Sequence, residues 1–200
     1  MRKVFGIGFH KTGTTSLASA LSVLGYRVTG PNDVSEPDIG ETYLARTRAL
    51  SEQFDAFQDN PWPLVYREMD AQWPDAKFIL TLRDPASWIA SQTGHFAHVS
   101  TPMREHIYGI GRGAPIGNED HYVAVMEAHN AAVRDYFSDR PGKLLEMNLL
   151  AGDEWEKLCA FLDHPVPAVP FPHSNPAGGR RPLARAVTSG KMFIKRLITR

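Results

Sequence analysis

Two hundred residues carry 22 basic and 22 acidic side chains, a formal net charge of zero, and one cysteine. The charge balance argues against a polyanionic partner such as nucleic acid, so any anion site has to be local. The lone Cys159, inside the apolar run Trp155–Leu162, rules out an internal disulfide and a cysteine-built zinc site, and reads as a packing residue. No apolar stretch approaches the ~20 residues of a membrane span. The N-terminal residues lack the pattern of a secretory signal, so a cytoplasmic chain is expected.

Short apolar runs alternate with helical stretches, which predicts βα units and a three-layer α/β fold on a mainly parallel sheet of about five strands. Val4–Phe9 reads as the first strand, followed by a glycine-containing turn. The next stretch, Thr14–Leu24, places Leu17, Ala20, Leu21 and Leu24 on one helical face and ends at Gly25. Tyr26–Thr29 and Asp55–Asp59 are expected as short strands around a helix at Glu41–Gln53, with another helix at Leu64–Gln72. Lys77–Leu82 is the clearest strand, because its continuous apolar run suits a strand covered on both faces. Pro85 opens a helix reaching about Gln92. The glycine-rich segment His95–Asn118 reads as a long loop able to close over a substrate.

Glu119–Phe137 is expected as a long helix, Lys143–Met147 as a fifth strand and Asp153–Leu162 as a helix. Six prolines from Pro165 to Pro182 mark a tail that wraps more than it folds. Lys191–Arg200 mixes apolar and basic residues; it suits a closing helix, or alternatively a basic amphipathic surface making peripheral membrane contact. With no repeat and no second core, one domain over residues 1–200 is the expectation.

The chemistry centres on Gly8–Thr15. A glycine turn between a strand and a helix aims backbone N–H groups and the helix dipole at one point, which is an anion site. Against the nucleotide-binding pattern G-x-x-x-x-G-K-[ST], both glycines and Thr15 fit, but Thr14 stands at the lysine position and Lys11 lies three residues earlier. An ATPase needs its lysine at the helix start, with the final hydroxyl on Mg²⁺. A lysine at the crown of the loop can instead neutralise a bridging oxygen as its bond breaks, as sulfuryl transfer requires, with less need of a metal.

With the run Lys11-Thr12-Gly13-Thr14-Thr15-Ser16, the chain resembles the sulfotransferase superfamily that uses 3'-phosphoadenosine-5'-phosphosulfate (PAPS). The likeness continues through Arg83-Asp-Pro-Ala-Ser-Trp-Ile-Ala-Ser91 after the strand Lys77–Leu82, through Asp59-Asn60-Pro61, and through Gly152–Leu162. It runs from Lys3 to about Asn175 and is nearest the bacterial-type branch. The resemblance implies a fold like that of P-loop nucleoside triphosphate hydrolases, with PAPS as donor and adenosine 3',5'-bisphosphate (PAP) as product. It also implies that the loop, with His10, Lys11, Thr12, Gly13, Thr14, Thr15 and Ser16, holds the 5'-phosphosulfate. Arg83 and Ser91 would then hold the 3'-phosphate, Arg83 through its fork of donors. A late contact from Arg180 or Arg181 is a further expectation; no metal is expected.

An acceptor needs a base near the loop. Asp59, at the carboxyl end of an expected strand where open α/β sheets bind ligands, is the candidate. Its ordinary pKa of about 3.9 makes it a weak base unless burial raises it. The plainer reading makes Asp59 a turn residue before Asn60-Pro61. His10 has two readings, contact with the sulfate or exposure to solvent. His95 and His98 are candidates to line the acceptor pocket, and Tyr108 and Arg112 to form a lid. The acceptor is expected to be a small molecule or glycan with a hydroxyl or amine. The rival functions are a P-loop kinase using ATP and Mg²⁺, and a nucleotide-binding protein that has lost turnover.

Overall fold

The computed structural model describes residues 1–173. The expectations for the proline-rich tail beyond residue 173, for Arg180 and Arg181, and for the closing segment Lys191–Arg200 lie outside those residues. Five strands form one parallel sheet: β1 (Val4–Gly6), β2 (Val28–Thr29), β3 (Ala56–Phe57), β4 (Lys77–Thr81) and β5 (Leu144–Met147), in the order β2-β3-β1-β4-β5. β1 is central, with Val4 beside Ala56 on one side and Lys77 on the other. Seven helices accompany it among the described residues: α1 (Thr14–Val23), α2 (Ile39–Gln53), α3 (Tyr66–Gln72), α4 (Pro85–Phe96), α5 (Pro102–Tyr108), α6 (Glu119–Phe137) and α7 (Trp155–Leu162).

Alternation along the buried strands sorts side chains into two layers. Val4, Ala56 and Ile79 face Leu17 and Leu21 of α1 and Leu158 of α7. Phe5, Phe57, Phe78 and Leu80 point the other way, toward Trp62, Met69 of α3, and Val133 and Phe137 of α6. Stacked rings at Phe5–Phe57 (4.6 Å) and Phe5–Phe78 (5.4 Å) tie the three middle strands together on that face. Cys159 is buried in the first layer, as its apolar setting predicts. A third cluster, Phe9, Trp88, Tyr108, Tyr122 and Met126, lies apart from the two main layers and binds α4, α5 and α6 to the turn after β1.

Two expectations change. The first strand ends at Gly6 rather than Phe9: Ile7 still donates to Ile79 O at 2.8 Å, after which the chain turns and buries Phe9 in the third cluster. The segment His95–Asn118 is not one long loop. It contains the end of α4 and the whole of α5, where Thr101 Oγ1 caps the Arg104 N–H and Pro102 occupies the first turn. Glycines beyond the helix had hidden a short capped helix within the segment. Among the described residues, no helix is long and apolar enough to cross a membrane.

Leu17 is fully buried where α1 meets the sheet. Leu17→Ala is expected to cost ~2–5 kcal/mol, read as a lower urea midpoint at unchanged slope.

Candidate functional site

The carboxyl ends of the strands meet in a cavity of about 690 Å³. Its floor is the turn after β1, and the position of that turn is set by close approach. A Cβ on Gly8 would collide with the backbone and hydroxyl of Thr81 at the end of β4, so only glycine fits. Gly13, at φ 106°, then turns the chain into α1. Leu17 N donates to Gly13 O at 3.0 Å as the first rung of the helix, so the amides of Thr14 and Thr15 lie at its open N-terminal end. Lys11, Gly13, Thr14, Thr15 and Ser16 all line the cavity.

Thr12 does not line it. Its buried hydroxyl lies 2.5 Å from Phe9 O, to which it donates, and 2.6 Å from the Thr81 hydroxyl. Its side chain thus braces the turn against β4, and only its backbone belongs to the loop. His10 lines the cavity but is not aimed at solvent: it is 3% exposed, 3.2 Å from the Asn60 amide, and boxed by Phe96 and Tyr108. Burial above all, with Arg104 and Lys11 adding, pushes its pKa down to about 3, so it is neutral at physiological pH. The carbonyl of His10 accepts from Trp88 Nε1 at 2.9 Å and Gln92 Nε2 at 3.0 Å, which clamps α4 onto the loop.

Arg83 leaves β4 beside this clamp. Its Nη1 donates to Lys11 O at 3.1 Å and its Nε to Ser87 Oγ at 3.2 Å, while Asp84 accepts from the Ser87 N–H as the cap of α4. The guanidinium therefore braces the crown of the loop and also lines the cavity, two turns of helix from Ser91. Lys11 is held at φ 66°, a conformation that costs a side-chain-bearing residue ~1–3 kcal/mol. Desolvation first, then the Arg83 charge, lowers its pKa, against the opposing pull of Asp59.

Asp59 follows β3, the neighbour of β1, and is also in the left-handed region at φ 63°. Its Oδ2 accepts from the Thr14 hydroxyl at 3.0 Å and its Oδ1 from the Asn60 N–H at 2.7 Å. Burial pushes its carboxyl up from the ordinary range, opposed by those two donors and by the charges of Arg104 and Lys11. It is a turn residue and a cavity residue at once; the two readings of the sequence are not exclusive.

Of the remaining candidates, His95 lines the cavity, whereas His98 does not. Tyr108 is not a lid residue: it is buried and stacked on Tyr122 at 3.5 Å. Arg112 is exposed and away from the cavity. Several lining residues carry no signal in the sequence: Pro31 and Val34 after β2, Phe96, Val99 and Arg104 over the β3 end, and Leu149 and Leu150 after β5. His173, in the late segment, lines it as well and lies 2.9 Å from Glu154. Arg104 could have been suspected only by recognising Thr101-Pro102 as a helix start.

A central parallel strand leading through a glycine turn into a helix, with cations lining the cavity at its open end, defines an α/β protein whose fold is like that of the P-loop proteins. The model of the sulfotransferase domain family matches residues 3–112 and 93–179. The chain belongs to that family. It is also 28% identical over 211 residues, 86% of this chain and 80% of the other, to a protein of Aspergillus versicolor named Ava biosynthesis cluster protein M.

The raised Asp59 pKa has a stability consequence. The ionised form is the disfavoured one in the fold, so this group's contribution is fully present below its unfolded pKa and is lost as pH rises through the folded value. Asp59→Asn is therefore expected to raise Tm at pH 8, with the gain shrinking as pH falls toward 4. A Tm difference that grows on acidification would reverse the assigned shift.

Proposed function

We propose that the chain transfers a sulfuryl group from PAPS to a hydroxyl or amine acceptor, with Lys11 and Asp59 as its catalytic residues. The observation that carries this reading is the 3.0 Å hydrogen bond from Thr14 to Asp59, which couples a carboxylate of raised pKa to the loop that would hold the 5'-phosphosulfate. A base at that distance from the loop can reach a nucleophile attacking a group seated there.

In the step itself, the acceptor oxygen or nitrogen bonds to sulfur while the bond between sulfur and the bridging phosphate oxygen breaks. The acceptor proton passes to Asp59, and the electron pair stays on the bridging oxygen of PAP. Lys11 at the crown of the loop neutralises that oxygen, the electrostatic support a leaving phosphate needs. Thr14, Thr15, Ser16 and the amide of Gly13 cradle the 5'-phosphate, and Arg83 with Ser91 takes the 3'-phosphate. Thr12 contributes through its backbone, and neutral His10 shapes the wall beside the reacting group. The apolar pair Leu149 and Leu150, at the β5 end, suits the nucleoside.

The positions along the sheet support this division of the cavity. The loop, Arg83 and Leu149 follow β1, β4 and β5, while Asp59 and Pro31 follow β3 and β2. The donor then covers one half of the sheet edge and the acceptor the other. The reading extends to a single cytoplasmic domain working on a small-molecule or glycan acceptor, without nucleic acid.

PAP without Mg²⁺ is expected to stabilise the protein by ~2.7 kcal/mol at a hundredfold excess over its Kd, measured by thermal shift. Stabilisation by ATP with Mg²⁺ alone would favour the kinase instead. Lys11→Met is expected to lower kcat by ~10²–10³ and to weaken PAP much less, in steady-state assays paired with calorimetry. Equal losses would reduce Lys11 to a binding residue.

A further inference from the structure

Arg104 is 5% exposed, yet it lines the cavity. Its guanidinium lies 3.4 Å from the centre of the Phe96 ring, and Nη1 donates to Val99 O at 2.7 Å. Among the described residues that is its side chain's one hydrogen bond, and no carboxylate forms an ion pair with it. The neighbouring Glu105 is committed elsewhere: it accepts from Ser100 Oγ at 2.5 Å and from the N–H groups of Gly111 and Gly113. Asp59 is near enough to feel the Arg104 charge, but its oxygens accept from Thr14 and Asn60.

An arginine stays charged wherever it is buried. A ring face and one carbonyl offset part of its desolvation but leave most of a five-donor fork without an acceptor. Phe96 and Val99, which contact it, share the cavity lining with the apolar Pro31 and Val34. A neutral, polyhydroxylated acceptor fits that combination poorly, because it would leave the cation uncompensated.

We infer that the acceptor carries an anionic group, such as a carboxylate, on an apolar body, and that Arg104 on the Phe96 face is the residue that selects it. This rests on the sulfuryl-transfer reading for the nucleophile but not for the anion contact. The same cation could alternatively serve the sulfuryl group of the donor, and the test separates the two.

The probes are 4-hydroxyphenylacetate and its neutral methyl ester, titrated calorimetrically into the protein with and without bound PAP, and assayed as acceptors with PAPS. The acid is expected to bind the parent protein ~10-fold or more tighter than the ester, as a charge-assisted pair provides. Arg104→Gln should abolish that preference and leave the Kd of PAP unchanged, and Arg104→Lys should restore part of it. An unchanged Tm in the variants, or partial rescue by lysine, excludes simple misfolding. No preference for the acid in the parent protein overturns the inference. So does a variant in which the acid's preference persists, or in which the ester's KM rises as much as the acid's. Failure of PAP to bind removes the sulfotransferase reading alone, since the acid against the ester on the PAP-free protein still decides Arg104.

Discussion

The site depends on one close approach: the backbone at Gly8 lies against Thr81, with no room for a side chain between them. That contact brings the turn after β1 against the end of β4, where the Thr12 and Thr81 hydroxyls meet at 2.6 Å. Once the two strand ends are locked together, Arg83 emerges beside the loop and reaches Lys11 O, and α4 swings Trp88 and Gln92 onto His10 O. A strand pairing thus becomes a cradle. Its elements are rigid because they are braced by hydrogen bonds to the main chain, which is where pre-organisation for an anion comes from.

Electrostatically the cavity is unbalanced by design of its parts. Lys11, Arg83 and Arg104 line it; Asp59 is near Lys11 and Arg104, and Asp84 near Arg83, in a chain whose overall charge is zero. Desolvation shifts all four toward their neutral forms: Lys11, Arg83 and Arg104 downward, Asp59 upward. Buried cations without matching anions carry a desolvation cost, and any anion bound among them would offset it. The same burial that disfavours the charged cations holds the Asp59 carboxyl above its ordinary range. All four groups therefore share one low-dielectric space.

Much of this was legible from residue order. The βα alternation, the position of all five strands and the displaced lysine are local patterns: hydrophobic period, glycine placement and short spacing report on the backbone within a few residues. The spacing from Arg83 to Ser91 was readable for the same reason, since one strand end and one helix carry both. Arg104 was not. Its place in the cavity depends on α5 packing against α2 and α6, elements distant from it in sequence. His10 shows the complementary limit: its place in the loop was evident, but whether its ring met solvent or Phe96 depended on helices far along the chain.

By itself, then, the sequence determined the class of fold, the anion-binding turn and the sulfotransferase-type motifs, because these rest on local conformational preference. Tertiary structure decided which of those residues face the cavity and which support the loop. Thr12 turned inward to Thr81, Tyr108 went into the core, Asp59 met Thr14, and Arg104 came to line the cavity with no ion pair among the described residues. Burial and partner choice are properties of the packed molecule, and they set the charge state and reach of every group in the cavity.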